Sequence, residues 1–167
     1  MKKPNMKLLI LSLLIIFSVQ FKIFGQIKIK SESEILAGIE WLSTNPVEQT
    51  DKEFISKSAD YMTYQFMKYP NFLLHFKALK EFLDNDRKYK YYDEINIVFT
   101  SNQFANKIKT GNKYDLKISS LKSMIKVLEY YKLLLEKEPD QKNSVLDEYS
   151  KMTEKELEKH IKKLLKK

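Results

Sequence analysis

The run DLKISSLKSMIKVLEYYKLLLEKEP, residues 115–139, decides the fold of this chain. Ile118, Leu121, Ile125 and Leu128 recur at alternating steps of three and four, and Met124, Tyr131 and Leu135 widen the stripe. That spacing gathers apolar side chains on one face of a helix, whereas a strand would need strict alternation. Asp115 can open the helix as its cap, and Pro139 closes it. The segment reads as a long core helix around which shorter ones must pack.

Outward from this run the pattern stays helical. Asn143 or Ser144 can cap a short piece carrying Val145 and Tyr149, and Thr153 with Glu156 forms a capping box for a last helix, 153–167, with Leu157, Ile161 and Leu164 inward. On the other side, residues 91–109 contain Ile95, Ile97, Val98 and Phe99, a β-branched and aromatic cluster that also suits a short strand. A helix with Ile97, Phe104 and Ile108 on one face, ended by Gly111, is the preferred reading, because a strand here would have no partner. Further back, Phe72, Phe76, Leu79 and Leu83 suggest another helix, begun or kinked at Pro70. Thr50 with Glu53 suggests a capping box before Ile55, Ala59, Met62, Phe66 and Tyr69, a stripe expected to face the core. Ser31 with Glu34 opens a helix over about 32–43 that buries Ile35, Ile39 and Leu42 and stops at Asn45 and Pro46. Three glycines leave little material for the primed turns of an all-β fold. The expected fold is all-α: one domain over 26–167, a bundle or irregular array of five to seven helices.

The first 25 residues read as an address. Lys2, Lys3 and Lys7 precede an apolar run from Leu8 to Val19, the pattern of a secretory signal peptide. The run stops at Gln20, short of the ~20 apolar residues a membrane-spanning helix needs. Cleavage is expected between Gly25 and Gln26, with an uncleaved anchor as the rival because Ile23 departs from the small-x-small rule. The chain contains no cysteine, so neither a lipid anchor on a cysteine nor a disulfide framework is expected. The predicted location is periplasmic or secreted.

The formal net charge of +8 is unevenly placed. Four of the thirty basic residues belong to the signal segment, and Lys159, Lys162, Lys163, Lys166 and Lys167 crowd the last nine positions. Residues 26–158 therefore carry a net charge of −1. The five lysines complement the dipole at a helix C-terminus. They are also the candidate contact with an anionic membrane surface, through that tail alone.

Most chemistries find no material here. His75 and His160 lie far apart with no metal-ligand spacing, so no metal or cofactor is expected, and both are read as packing or surface residues. A nucleophile elbow and a phosphate-cradling loop both need glycines that are missing. A pair of glycosidase carboxylates is set by spatial rather than sequence spacing, yet the acids here sit mainly in first turns of helices, where the dipole favours them. No catalytic residue is assigned and the chain is expected not to be an enzyme. Arg87 is the single arginine, which argues against nucleic acid. Ten tyrosines are more informative, since a tyrosine buries its ring while keeping its hydroxyl wet. Tyr89, Tyr91 and Tyr92 form a candidate interaction patch, with helix packing as the alternative.

The lysine-rich leader ending near Gln26, the segment IEWLSTNP from Ile39 to Pro46, the long helix from Asp51 and the segment SLKSMIKVLEYYK from Ser120 to Lys132 together resemble uncharacterised small exported helical proteins of Gram-negative bacteria. The resemblance implies an exported all-helical domain and no functional residue. The expected role is interaction with a protein or envelope component. Two alternatives stand beside it: a carrier or sensor of an apolar small molecule in a cavity lined by Phe66, Phe72, Phe76 and Phe99, and an envelope-surface protein docked through its basic tail.

Overall fold

The computed structural model describes residues 30–166, and these contain seven α-helices, two short 3-10 turns and no strand. The expected signal segment and Lys167 lie outside the described residues. The helices are α1 Glu32–Thr44, α2 Lys52–Lys68, α3 Lys80–Asn85, α4 Tyr92–Thr110, α5 Leu116–Lys137, α6 Ser144–Ser150 and α7 Glu154–Lys166. None is long and apolar enough to cross a membrane.

Local side-chain chemistry sets most of the helix starts. Ser31 and Glu34 make the expected capping box, Asp115 accepts the Ile118 N–H at 2.8 Å, and Asn143 accepts that of Leu146 at 3.0 Å. Thr153 and Glu156 exchange bonds at the start of α7. Each cap satisfies an N–H that the helix leaves without a partner, and losing one costs about 1 kcal/mol. One start differs from expectation. Asp51, not Thr50, caps α2, accepting N–H groups from Glu53 and Phe54 at 2.8 and 3.0 Å. Its carboxylate stands one residue closer to the first turn and reaches two donors at once.

α4 and α5, joined by residues 111–115, form the central hairpin and share the most extensive helix contact. Gly111 makes the connection by adopting φ 53° and ψ −120°, a conformation that side chains resist. It ends the helix as expected, but its ψ is not that of a left-handed helical cap. Residues 95–99 are helical. Ile95, Val98 and Phe99 are fully buried, so tertiary burial overrides their β preference. α4 spans two apolar clusters. Its C-terminal half packs with α1 and α2 around Ile39, Leu42, Phe54, Tyr61 and Phe104, and its N-terminal half packs with α3, α5, α6 and α7 around Phe82, Phe99, Met124, Tyr131 and Tyr149.

The expected core stripe of α2 is turned away from the core, and that of α5 lies at its edge, with Met124 and Tyr131 buried and Leu121, Ile125, Leu128 and Leu135 packed against the core in part. On α2 the buried residues are Phe54, Ser58, Tyr61 and Tyr64, while Ile55, Ala59, Met62 and Phe66 face out. On α5 the fully buried face is Ser120, Ser123, Met124, Val127, Tyr130, Tyr131 and Leu134, while Leu121, Ile125 and Leu128 are half-buried and Ile118 is exposed. Both helices carry apolar side chains on two faces, and on each the face with the buried tyrosines packs inward; Tyr61 and Tyr131 find polar partners there, while the hydroxyls of Ser58, Ser120 and Ser123 are buried without one among the described residues. Tyr61 shares a hydrogen bond with Thr100 at 3.1 Å, and Tyr131 donates to Asp147 at 2.9 Å. A helix at Phe72 is also absent. Residues 69–76 run as an irregular connector whose backbone is held by the fully buried Gln103: its amide donates to the His75 carbonyl at 2.6 Å and accepts the His75 N–H at 3.0 Å. With both amide groups engaged, the connector has no need of helical hydrogen bonds at this point.

Candidate functional site

The outward face of α2 leaves several large apolar side chains exposed. Phe66 is 75% exposed, Ile55 52% and Met62 45%, and Leu73 on the connector is 71% exposed. Ile55, Met62 and Phe66 are spaced by seven and four positions, so they form one ridge about 16 Å long. The ridge stands between two recesses that share Met62. One, of about 420 Å³, lies toward the start of α4 and is lined by Phe54, Ile55, Asp93, Asn96 and Ile97. The other, of about 370 Å³, lies toward the connector and is lined by Tyr61, Phe66, Tyr69, Phe72 and Leu74. Soluble monomers leave few contiguous apolar patches of this kind exposed unless something binds there. Methionine, unbranched and polarizable, can follow an irregular partner, and phenylalanine offers a large apolar area to bury.

A second surface is a groove of about 630 Å³ between α5, α6 and α7, with Ile125, Leu128, Leu135, Met152 and Leu157 along it. Tyr131 and Tyr149 form part of its wall. Burial first, then the Asn143 N–H and the Asp147 carboxylate, act on the Tyr131 hydroxyl, whose pKa is pushed up to about 12. It stays protonated and serves as a donor.

The other polar clusters tie helices together. The Tyr149 hydroxyl donates to Glu81 at 2.7 Å, and His160 Nε2 stands 3.2 Å from both groups. His160, expected at the surface, is thereby packed between α3, α6 and α7, and Tyr149 is buried. His75, expected in a packing or boundary role, is exposed on the connector rather than packed. Glu94 is buried at the start of α4, where its carboxylate accepts the Gln49 N–H at 2.5 Å and anchors the loop between α1 and α2. Burial pushes its pKa above the usual carboxylate value. Among the described residues no three metal-ligating groups are placed to share an ion.

The three tyrosines read as a candidate patch pack inward rather than standing exposed together. Tyr91 is buried with its hydroxyl on Glu138, and that bond, with Lys90 beside it, holds the Glu138 carboxyl below the usual range. Tyr89 and Tyr92 are half-buried against the Phe82 ring and donate to backbone carbonyls of Gln141 and Leu83. Of the tail lysines, Lys159, Lys162, Lys163 and Lys166 are exposed on α7, opposite the buried Leu157, Ile161 and Leu164. The four phenylalanines expected to line one cavity are dispersed. Phe66 and Phe72 border the same recess, Phe76 is on the exposed connector, and Phe99 is buried in the other cluster.

Comparison with protein-family models, curated proteins and solved structures returned no match to this chain. The functional reading therefore rests on the residues themselves.

Proposed function

We propose that this chain is an exported bacterial binding protein that docks a protein partner of the cell envelope or the medium on the outer face of α2. One observation carries the reading: Ile55, Met62 and Phe66 stand exposed in register on a helix whose opposite side is locked into the core. A partner would bury the ridge and insert side chains into the recesses on either side of Met62, the arrangement in which a few central apolar residues supply most of the binding energy. Support for export comes from the sequence, through the lysine-rich start and the apolar run that follows.

The test is photocross-linking in the cells that make the protein, with a benzoylphenylalanine at position 66 and a control at Lys80, which is exposed on α3. The expected result is a discrete adduct from position 66 and none from position 80. No adduct at 66, or the same adducts at both positions, would contradict the reading.

A second reading is favoured by the four exposed lysines along α7. Each would add ~1 kcal/mol of attraction near an anionic membrane. Sedimentation with phosphatidylglycerol vesicles at low salt should then carry the chain down, and deletion of 159–167 should release it. Binding that survives the deletion would eliminate this reading.

A further inference from the structure

We infer that the groove between α5, α6 and α7 is a receptor for one basic amphipathic helix, a binding surface separate from the α2 face. The first argument is periodicity. Along α5 the half-buried or exposed positions Ile118, Leu121, Ile125, Leu128 and Leu135 follow the three-four spacing of a coiled-coil seam, with Lys132 in the one remaining place. A seam of this spacing is shaped to receive the side chains of another helix. α5 buries a neighbouring face completely, and Leu121, Ile125, Leu128 and Leu135 pack against the core only in part, which leaves part of each side chain open to an occupant.

The second argument is charge. The chain is basic overall, yet the groove borders Glu129, Glu136, Asp147 and Glu154 against Lys132 alone. Glu129 and Glu136 are seven residues apart, beside the seam, at the flanking positions that select a coiled-coil partner by sign. Glu129 also pairs with Lys126 at 3.0 Å, and Asp147 accepts from Tyr131. Glu136 and Glu154 are exposed and make no ion pair with another described residue. From Ile125 to Leu135 the groove floor runs about 15 Å, three turns of a helix. An occupant with leucine-like side chains toward this floor and lysine or arginine along both flanks would answer the apolar floor and the acidic borders together.

Fluorescence anisotropy with the full chain tests this. The probe is a labelled 18-residue helix with leucine at its seam positions and lysine at the flanking ones, and the control carries glutamate in place of each lysine. The lysine helix should bind, weaken at least tenfold on E129K/E136K, weaken with added salt, and shift the amide resonances of Leu128, Leu135 and Met152. The milder Glu129→Gln/Glu136→Gln pair should give an intermediate loss, and an unchanged urea midpoint in both variants separates lost binding from lost fold. Absence of binding, equal binding of the glutamate helix, or resonance shifts at Phe66 instead of the groove would overturn the inference. So would dodecyltrimethylammonium binding in the groove where the lysine helix does not.

Discussion

The hydroxyls of Tyr61 and Thr100 meet at 3.1 Å inside the core, on the side of α2 that also buries Phe54 and Tyr64 and lies opposite its exposed face. Tyr61 is 3% exposed, while Met62, the next residue, faces solvent. Removing Phe66 or Met62 as serine should therefore change stability by no more than about 0.5 kcal/mol, the usual range for surface sites. Phe104→Ala, which empties the ring cluster beneath Tyr61 and Tyr64, should cost about 3–5 kcal/mol. Urea unfolding of the variants checks the contrast, and a large loss from Phe66→Ser would mean that the two faces are exchanged.

Gln103 holds the connector at His75 by two hydrogen bonds from a fully buried position. Gln103→Leu should cost about 1–3 kcal/mol, since it removes two part-buried hydrogen bonds to His75 at about 0.5–1.5 kcal/mol each. It should also speed amide exchange over residues 72–76 relative to α5. Exchange unchanged in that segment would show that the connector is held by its apolar residues alone.

Gly111 has open space around the site of a Cβ, so any penalty there comes from the backbone. Gly111→Ala should destabilise the fold by about 1–3 kcal/mol without altering its packing. A crystal structure of the variant with φ still positive and a lowered unfolding midpoint would meet the expectation. An unchanged midpoint would not.

Glu94 makes stability depend on pH in a defined direction. Burial raises its folded pKa above the ordinary carboxylate value, so on raising the pH the unfolded chain gives up this proton before the folded chain does. The protonated carboxyl is the better fit to its site. The contribution is complete below the unfolded pKa, declines as pH rises through the window up to the raised value, and is gone above it. Glu94→Gln keeps an acceptor for the Gln49 N–H and should flatten that decline. Unfolding free energies at several pH values between 4 and 8 measure it, and an identical slope in both chains would refute the assignment.

How much could be read from the sequence depends on the range of the interaction. Ser31, Asp115, Asn143 and Thr153 were legible as caps because each bonds to its own helix within three residues. The helices themselves followed from periodicity, including 92–110, where the alternative was a strand. Periodicity alone reports that an apolar stripe exists. On α2 and α5 it could not say which of two stripes is buried, because the deciding contacts come from other helices: Thr100 for Tyr61, Asn143 and Asp147 for Tyr131. Periodicity therefore marks Met62 and Phe66 as core positions although they face solvent, and Ile125 and Leu128 although they reach the core only in part. The tie between Glu81 and His160 spans 79 residues and leaves no local signal. The same holds for the grip of Gln103 on His75, 28 residues away, which replaces the helix expected at Phe72.

Because the chain has no cysteine, single introduced thiols report directly on the two faces of α2. Met62→Cys and Phe66→Cys should react with a water-soluble maleimide at the rate of a free thiol, and Tyr61→Cys and Tyr64→Cys should react at least a hundredfold more slowly. Adding an envelope extract from the producing cells should then protect position 66 and leave a thiol at Lys80 untouched. Fast labelling at 61 and 64 with slow labelling at 62 and 66, or a position 66 that stays fully reactive in the extract, would contradict the account.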